Sequence, residues 1–150
     1  MIYGILLAAG NSTRFGSNKL LQAYDAQYSL VQHSALSLSQ ALSNSIVVVR
    51  PDDHALIQQL RAIDMPIVMC HQASAGMSTS IACGIEYTQD ASGWIIALAD
   101  MPLVKTSTIQ QIAQALASQE IVAPYYQEQR GNPVGFSARY RQQLLNLKGD

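Results

Sequence analysis

Apolar residues cluster into short runs along this chain, and the runs predict the strands of a buried sheet. Five of them can be recognised, at residues 2–7, 45–49, 66–70, 94–99 and 121–123. Each run is continuous rather than alternating, as expected for strands whose two faces are both covered. The pattern therefore predicts a sheet that lies between layers of helices.

Between the runs, apolar residues recur three or four positions apart, which is the spacing of one face of a helix. Five segments share this spacing: Val31, Ala35, Leu38 and Leu42; Leu56, Leu60 and Ile63; Met77, Ile81 and Ile85; Ile109, Ile112, Ala113 and Leu116; and Tyr140, Leu144 and Leu147. The alternation predicts an α/β fold with a mostly parallel, doubly wound sheet. In such sheets ligands bind beyond the carboxyl ends of the strands, so functional residues are expected in the loops that follow them.

The composition is that of a globular protein and argues against a nucleic-acid or membrane partner. The chain has 150 residues, 49% of them hydrophobic and 13% charged, which predicts one globular domain over residues 1–150. The formal net charge of −1 gives no electrostatic support for a nucleic-acid partner. No apolar run approaches the length of a membrane span, and Met1 leads directly into the first strand. We therefore expect a cytoplasmic protein without a nucleic-acid or membrane partner.

The two cysteines, Cys70 and Cys83, each lie in an apolar context. We expect both to be buried thiols in a reducing cytoplasm, not joined in a disulfide. Cysteine and histidine residues nowhere have the spacing of a zinc site, so the sequence does not predict a structural zinc.

The loop after the first strand carries the clearest chemical signal. Residues 6–19 read Leu-Leu-Ala-Ala-Gly-Asn-Ser-Thr-Arg-Phe-Gly-Ser-Asn-Lys. Glycine lets backbone amides approach a ligand closely, and successive amides in such a loop favour an anion. Arg14 and Lys19 add cations that suit phosphate oxygens. The loop therefore predicts a site for nucleotide phosphates, with an ordinary strand-to-helix turn bearing exposed charges as the alternative.

Two familiar phosphate loops do not fit this stretch. A P-loop ends in Gly-Lys followed by Ser or Thr, whereas Lys19 does not follow Gly16 directly. A dinucleotide loop reads Gly-x-Gly-x-x-Gly, whereas no glycine lies between Gly10 and Gly16. If the loop binds a nucleotide, it belongs to neither class.

Asp100 directly follows the apolar run of the fourth predicted strand. A carboxylate there lies at the binding edge of the sheet, where it can hold magnesium together with waters and substrate phosphates. The alternative is a carboxylate that starts a turn, since aspartate is common at that position. The two cations of the first loop favour the metal hypothesis.

Two further segments carry candidate binding residues. Residues 76–84, Gly-Met-Ser-Thr-Ser-Ile-Ala-Cys-Gly, open a helix with Ser78 and Ser80 in its first turn. A helix N-terminus attracts anions, and plain capping by Ser78 is the alternative. Arg130 and Asn132 lie in Arg-Gly-Asn-Pro-Val-Gly-Phe, where the functional hypothesis places them at the cleft mouth facing an anionic second substrate. A hairpin that turns at the Gly-Asn pair is the alternative there.

These stretches resemble the motifs of the MobA-like nucleotidyltransferases, and within that group most closely the molybdenum cofactor cytidylyltransferases. The first loop matches the family pattern at Leu7, Ala8, Ala9, Gly10, Ser12, Arg14, Gly16 and Lys19. Gly-Met-Ser-x-Ser-Ile-x-x-Gly, Ala-Asp-Met-Pro and Arg-Gly-Asn-Pro-Val-x-Phe are also similar to family motifs. The resemblance covers nearly the whole chain and implies the three-layer α/β/α fold of the nucleotide-diphospho-sugar transferases.

The resemblance implies transfer of CMP from CTP to the phosphate of molybdopterin or its molybdenum form, with release of pyrophosphate. The implied cofactor is Mg²⁺, and a molybdoenzyme client is a candidate further partner. The implied nucleotide site consists of Leu7, Ala8, Ala9, Gly10, Ser12, Arg14, Gly16, Lys19, Ser78 and Ser80.

The resemblance also assigns catalytic and acceptor roles. Arg14 and Lys19 would hold the phosphates during transfer, and Asp100 would bind the metal. Asp150, in the final Gly-Asp, is the best match to a second metal-binding carboxylate. On the acceptor side, the corresponding residues are Arg130 and Asn132.

Three alternatives remain. GTP-using guanylyltransferases resemble Leu-Ala-Gly-Gly at the first loop, so Ala9 argues against them, and its methyl should limit the approach of a purine. Cytidylyl transfer to a sugar or polyol phosphate is the second alternative. A non-catalytic binding or chaperone module is the third, since the family's C-terminal part is expected to be missing. Asp150 is the last residue, so we expect nucleotide binding with poor turnover.

Overall fold

The computed structural model describes residues 1–10, 19–73, 76–126 and 129–148, with Tyr126 described as backbone only. The strands are β1 (Ile2–Leu7), β2 (Ser45–Val49), β3 (Ile67–Met69), β4 (Gly93–Leu98), β5 (Ile121–Val122), β6 (Tyr125–Tyr126), β7 (Gln129–Arg130) and β8 (Val134–Ser137). The α-helices are α1 (Leu30–Ala41), α2 (His54–Arg61), α3 (Met77–Tyr87), α4 (Thr106–Ala115) and α5 (Arg141–Leu145). Short 3₁₀ turns cover Lys19–Leu21 and Ala138–Tyr140.

Six strands form the central sheet in the order β3-β2-β1-β4-β8-β5. The first four strands of that order are parallel, with Leu7 of β1 beside Val48 on one side and Leu98 on the other. Strand β8 runs antiparallel to both β4 and β5. The sheet is therefore mostly parallel and doubly wound, as predicted, and the loops after β1 and β4 leave it side by side.

Helices cover both faces of this sheet and complete the predicted three layers. Successive residues of a strand point to opposite faces, so each strand contributes to two cores. The core beneath α1, α2 and α4 contains Leu6, Leu38, Leu60, Ile95 and Ile109. The core beneath α3 and α5 contains Ile5, Val48, Ile85, Trp94 and Leu144. Across the described ranges, the helices are too short or too polar to span a membrane.

Helix α3 packs closely on the sheet because Gly84 has no side chain. A Cβ at Gly84 would lie 2.9 Å from Cγ2 of Ile5 and 3.4 Å from Cγ2 of Val48. The first of these distances is too short for ordinary packing, so a larger residue would push the helix outwards. Since α3 connects two parallel strands, it runs back across the sheet and begins at the carboxyl edge.

The apolar pattern predicts most of these elements, with shifts at their ends. Strands β1 and β2 have the predicted bounds, whereas β3, β4 and β5 differ from prediction by one or two residues. The last helix ends at Leu145, and Leu147 beyond it is 48% exposed. The pattern does not predict β8, which has four residues, or the two-residue strands β6 and β7. Strand β7 ends at Arg130, so the Gly-Asn pair follows the hairpin instead of forming its turn.

The expectation of two unlinked thiols is wrong, because the structure joins Cys70 and Cys83 in a disulfide. Cys70 follows the end of β3, and Cys83 lies in α3, which packs against that strand. The fold thus brings their Cα atoms to 6.0 Å although 13 positions separate them in sequence. A Cα–Cα distance of 6.0 Å is usual for a disulfide. The spacing of the two cysteines in the sequence does not predict that they are bonded.

Candidate functional site

The chain leaves β1 through small residues at the carboxyl edge of the sheet. Ala8 and Ala9 are buried, and the amide of Ala8 donates to the carbonyl of Val48 at 2.9 Å. Gly10 is exposed, and no atom of the described residues lies within 4 Å of the position that a Cβ would take there. Among the described residues, none blocks the approach of a ligand to the backbone at Gly10. Predicted site residues Ser12, Arg14 and Gly16 lie outside the described residues.

Asp100 lies in a tight turn directly beside this loop. The amide of Ala99 donates to the carbonyl of Leu7 at 3.2 Å, and the amide of Met101 donates to the carbonyl of Leu98 at 3.2 Å. Leu7 and Leu98 are register partners, so continuing the register by two residues sets Asp100 level with Ala9. The Asp100 side chain is exposed. The fold thus presents a carboxylate next to the open backbone of the first loop.

Ser34 of α1 anchors this turn from below, and the sequence analysis does not identify it. Its Oγ donates to the carbonyl of Ala99 at 2.9 Å, across 65 residues of sequence. Ser34 is 6% exposed and Ala99 is 1% exposed, so the bond is shielded from water. The available signal is that a polar residue occupies the apolar face of α1, between Val31 and Leu38.

Asn132 lies on the other side of the Asp100 turn. Val134 pairs with Ile96 in the antiparallel register, and continuing that register by two residues sets Asn132 level with Leu98. Asn132 and Leu98 also line one small, partly open pocket together with Met101. Two described segments predicted to contribute to the site, around Asp100 and Asn132, are therefore adjacent.

Arg130 lies further out, at the end of the β6–β7 hairpin. Its side chain is exposed, and its register partner across the hairpin is Tyr125. The amide of Gly131 donates to the carbonyl of Pro124 at 2.7 Å, which closes the base of the hairpin. Arg130 is therefore separated from Asn132 by one residue that is fixed in place.

Helix α3 begins at Met77, and the residue at its N-cap is a glycine, Gly76, not a capping serine. Gly76 is the N-cap residue, with a φ of 124° that favours glycine, and no side chain caps the helix there. Ser78 and Ser80 are inside the first turn and are 7% and 4% exposed. Plain capping by Ser78 is therefore not what the structure shows. The disulfide between Cys70 and Cys83 ties the middle of α3 to the end of β3.

Lys19 begins the first 3₁₀ turn and its side chain is exposed. The amide of Gln22 donates to its carbonyl at 3.1 Å, and Leu20 and Leu21 pack against the core beneath α1. The turn therefore fixes the backbone of Lys19 on that side of the sheet. Residues 11–18, which connect it to Gly10, are outside the described part of the chain, so its partnership with the first loop stays a prediction.

Asp25 is a different kind of carboxylate from Asp100. It accepts hydrogen bonds from the amides of Tyr28 and Gln27, both at 2.8 Å, and these bonds hold its pKa below the ordinary value. Its Oδ1 accepts both of these bonds and so holds the turn before α1. Asp25 thus supports local structure, whereas Asp100 presents its carboxylate at the edge of the sheet.

The described residues fit a metal that is shared with a substrate. Within the described ranges, no three histidine, cysteine, aspartate or glutamate side chains converge on one point. Magnesium is often held by one or two carboxylates and completed by waters and substrate phosphates. Asp100, which is exposed, is the described residue that would supply the protein part of such a set. Asp150, the predicted second carboxylate, lies outside the described residues.

The chain has a three-layer α/β/α fold with a doubly wound sheet. Small residues follow β1 and a carboxylate follows β4, at the edge where such folds bind nucleotides. In keeping with this, the chain belongs to the family of the MobA-like NTP transferase domain, whose model matches residues 4–150. Membership confirms the family resemblance and makes this chain a nucleotidyltransferase of the MobA-like group.

Individual relatives also support membership of this family, and they differ in sequence identity and in how much of each chain is aligned. Purine catabolism protein PucB of Bacillus subtilis is 28% identical over 99% of this chain and 77% of its own length. A probable molybdenum cofactor guanylyltransferase of Chloroflexus aggregans is 31% identical over 76% of this chain. That match spans about half the relative, 53% of its length.

A solved structure shows the same architecture. The crystal structure of Rv0371c from Mycobacterium tuberculosis H37Rv, a complex with manganese, matches with a TM-score of 0.84 at 24% identity. The match covers 99% of this chain and 77% of that chain. It confirms the predicted fold of the nucleotide-diphospho-sugar transferase type.

Proposed function

We propose that this nucleotidyltransferase transfers CMP from CTP to the terminal phosphate of a molybdopterin-type acceptor and releases pyrophosphate. The observation that supports the proposal is that β1 and β8 both pair with β4. The residues that follow β1 and β4, Ala9 and Asp100, and the segment before β8 that contains Asn132 therefore all leave the sheet at the same edge. In this proposal the donor lies next to β1 and the acceptor lies next to β8. The acceptor itself comes from the family resemblance and from relatives named as molybdenum cofactor guanylyltransferases.

The proposed reaction needs no general base on the protein. An oxygen of the acceptor phosphate, which is already anionic, forms a bond to the α-phosphorus of the triphosphate. The bond from that phosphorus to the α,β-bridging oxygen breaks, and its electron pair leaves with pyrophosphate. The protein then contributes alignment and neutralisation of charge.

Each proposed residue serves one of these two tasks. The open backbone at Gly10 receives the donor, and the cations of Lys19 and Arg14 hold its phosphates. The start of α3, with Ser78 and Ser80 in its first turn, is proposed to lie on the donor side, where free backbone amides favour an anion. Arg130 and Asn132 hold the acceptor. Ser34 acts indirectly, because it fixes the backbone that carries Asp100.

Asp100 is proposed to hold a divalent cation jointly with the substrate phosphates, and Asp150 is proposed as its second carboxylate. When bound, such a cation stabilises the negative charge that develops on the phosphate oxygens. We expect Mg²⁺ in this role. Since the related Rv0371c was crystallised with manganese, both metals belong in the assay.

Donor choice rests on Ala9, but the physical reason differs from the one expected. The methyl of Ala9 is 2% exposed and packs in the core beneath α3, so it does not face a nucleotide base. Any preference would therefore act through the path of the loop backbone. GTP is the second candidate, because two relatives at 30% and 31% identity are named guanylyltransferases.

Asp100→Asn tests the proposed metal site, with Asp90→Asn as a matched control. Both aspartates are exposed, but Asp90 precedes β4 and Asp100 follows it, so they lie at opposite edges of the sheet. We expect metal-dependent pyrophosphate release to be lost only in Asp100→Asn, since the side chain keeps its shape and loses its charge. Full activity of that variant at ordinary magnesium would refute the assignment.

Thermal shifts with magnesium distinguish the donors. CTP should stabilise the protein more than GTP, because a ligand raises stability according to its affinity for the folded state. An equal or larger shift with GTP would favour guanylyl transfer instead. Pyrophosphate release with a sugar phosphate alone would favour the sugar or polyol alternative, and nucleotide binding without any release would favour a binding module.

A further inference from the structure

The β6–β7 hairpin forms a sheet of its own at the acceptor side. Its two strands are antiparallel, with Tyr125 opposite Arg130 and Tyr126 opposite Gln129. Residues directly opposite each other in an antiparallel pair project from the same face, with Cβ atoms about 4.5–5.5 Å apart. The side chains of Tyr125 and Arg130 therefore stand side by side.

This face of the hairpin is exposed to an unusual degree for an aromatic residue. Tyr125 is 71% exposed, and Arg130 beside it is exposed as well. Buried tyrosines stabilise a fold through the large apolar area of the ring, and Tyr125 contributes little of that here. A ring and a guanidinium held together in solvent are instead suited to a ligand.

The hairpin is anchored to the site although two-stranded ribbons are marginally stable alone. The hydrogen bond between Gly131 and Pro124, at 2.7 Å, closes its base. Asn132 then packs next to Leu98 and Met101, beside the Asp100 turn. The pair of Tyr125 and Arg130 is therefore connected to the transfer site by two residues.

We propose that Tyr125 and Arg130 form a clamp for a planar heteroaromatic ring that carries a phosphate. Tyr125 stacks on the ring, while Arg130 forms charge-assisted hydrogen bonds to the phosphate. Because the two residues share a face, a ligand that reaches Arg130 also reaches Tyr125. The inference rests on the proposed function, since it identifies the acceptor by its ring, and it makes Tyr125 a specificity-determining residue.

Equilibrium binding tests the clamp separately from catalysis. The probes are a pterin phosphate, which has both parts, and a sugar phosphate, which lacks the aromatic ring. Tyr125→Ala should weaken binding of the pterin phosphate by about tenfold and leave the sugar phosphate unaffected. Tyr125→Phe should bind both as the unaltered protein does, because it keeps the ring.

Two further variants separate the clamp from nonspecific effects. Tyr87→Ala removes an equally exposed tyrosine, 65% exposed, at the far end of α3, and should leave binding unchanged. Arg130→Lys keeps the charge but loses the planar fork, so it should weaken binding of both phosphates. Circular dichroism and thermal melts check that every variant is folded.

The outcomes for the clamp and for the proposed function are distinguishable. If Tyr125→Ala and Tyr87→Ala bind the pterin phosphate equally well, or the unaltered protein does not bind it, the clamp is wrong. If binding depends on Tyr125 but no acceptor supports pyrophosphate release, the clamp stands and the transfer function fails. A selective loss that the phenylalanine variant restores, with pyrophosphate release intact, supports both.

Discussion

Ser34→Ala should destabilise the protein through one buried hydrogen bond beneath the Asp100 turn. The substitution removes the Oγ that donates to Ala99 at 2.9 Å and leaves that carbonyl buried. A buried group left without its partner costs about 1–3 kcal/mol. Alanine is the better helix former by about 0.5 kcal/mol, which offsets part of this. The expected net loss of unfolding free energy is about 0.5–2.5 kcal/mol.

Ser39→Ala is the matched control in the same helix. Its Oγ donates to the carbonyl of Leu36 at 3.1 Å, one turn earlier in α1, so this hydrogen bond stays within the helix. The gain in helix propensity is the same at both positions. The difference between the two variants in urea unfolding therefore isolates the tertiary bond. Equal unfolding free energies for Ser34→Ala and Ser39→Ala would refute this assignment.

A second measurement asks whether Ser34 also positions Asp100. If the turn relaxes without its anchor, the carboxylate is less well placed, and Ser34→Ala should need more magnesium for half-maximal pyrophosphate release. Ser39→Ala should titrate as the unaltered protein does. A stability loss with an unchanged magnesium titration would show that Ser34 supports the fold alone.

Two other predictions follow from Lys19 and from the disulfide. Lys19→Ala should weaken CTP binding by about 1.5–3 kcal/mol, as expected for a lost charge-assisted contact, and leave cytidine binding nearly unchanged. Calorimetry with both ligands checks this, and equal losses would show that Lys19 does not contact phosphate. Reduction of the bond between Cys70 and Cys83, 13 residues apart, should lower the unfolding free energy by about 2–3 kcal/mol. Urea unfolding with and without reductant measures it. The double serine variant should not respond to reductant, and an unchanged midpoint of the unaltered protein would contradict the prediction.

The sheet and most helices could be predicted because buried positions are apolar, and they recur along the sequence with the spacing of a strand or a helix. Strands β1 and β2 are covered on both faces, so nearly their whole length is apolar and the sequence predicts their bounds correctly. Strand β8 leaves a weaker record, because Val134–Ser137 is short and contains Gly135. That glycine is there for packing: a Cβ would lie 2.8 Å from Cγ2 of Ile112 in α4.

For the candidate site, the sequence indicates which residues to consider but does not indicate which of them are neighbours in space. Asp100 and Asn132 could be proposed from the sequence because their residue types suit metals and phosphates and because they lie in family motifs. Their adjacency could not be found, because it depends on β8 pairing antiparallel with β4, a long-range choice that no local spacing records. The link between Cys70 and Cys83 was missed for the same reason.

Ser34 shows why residues that support a site are harder to predict than residues that line it. A carboxylate beside a phosphate loop suggests its chemistry by type alone. A serine on a helix suggests nothing, since serines form local hydrogen bonds in many helices, as Ser39 does here. What distinguishes Ser34 is that its bond crosses to another element and ends on the residue before Asp100. In a transfer reaction that depends on alignment, such backbone anchors set the geometry, so they belong among the first positions to vary.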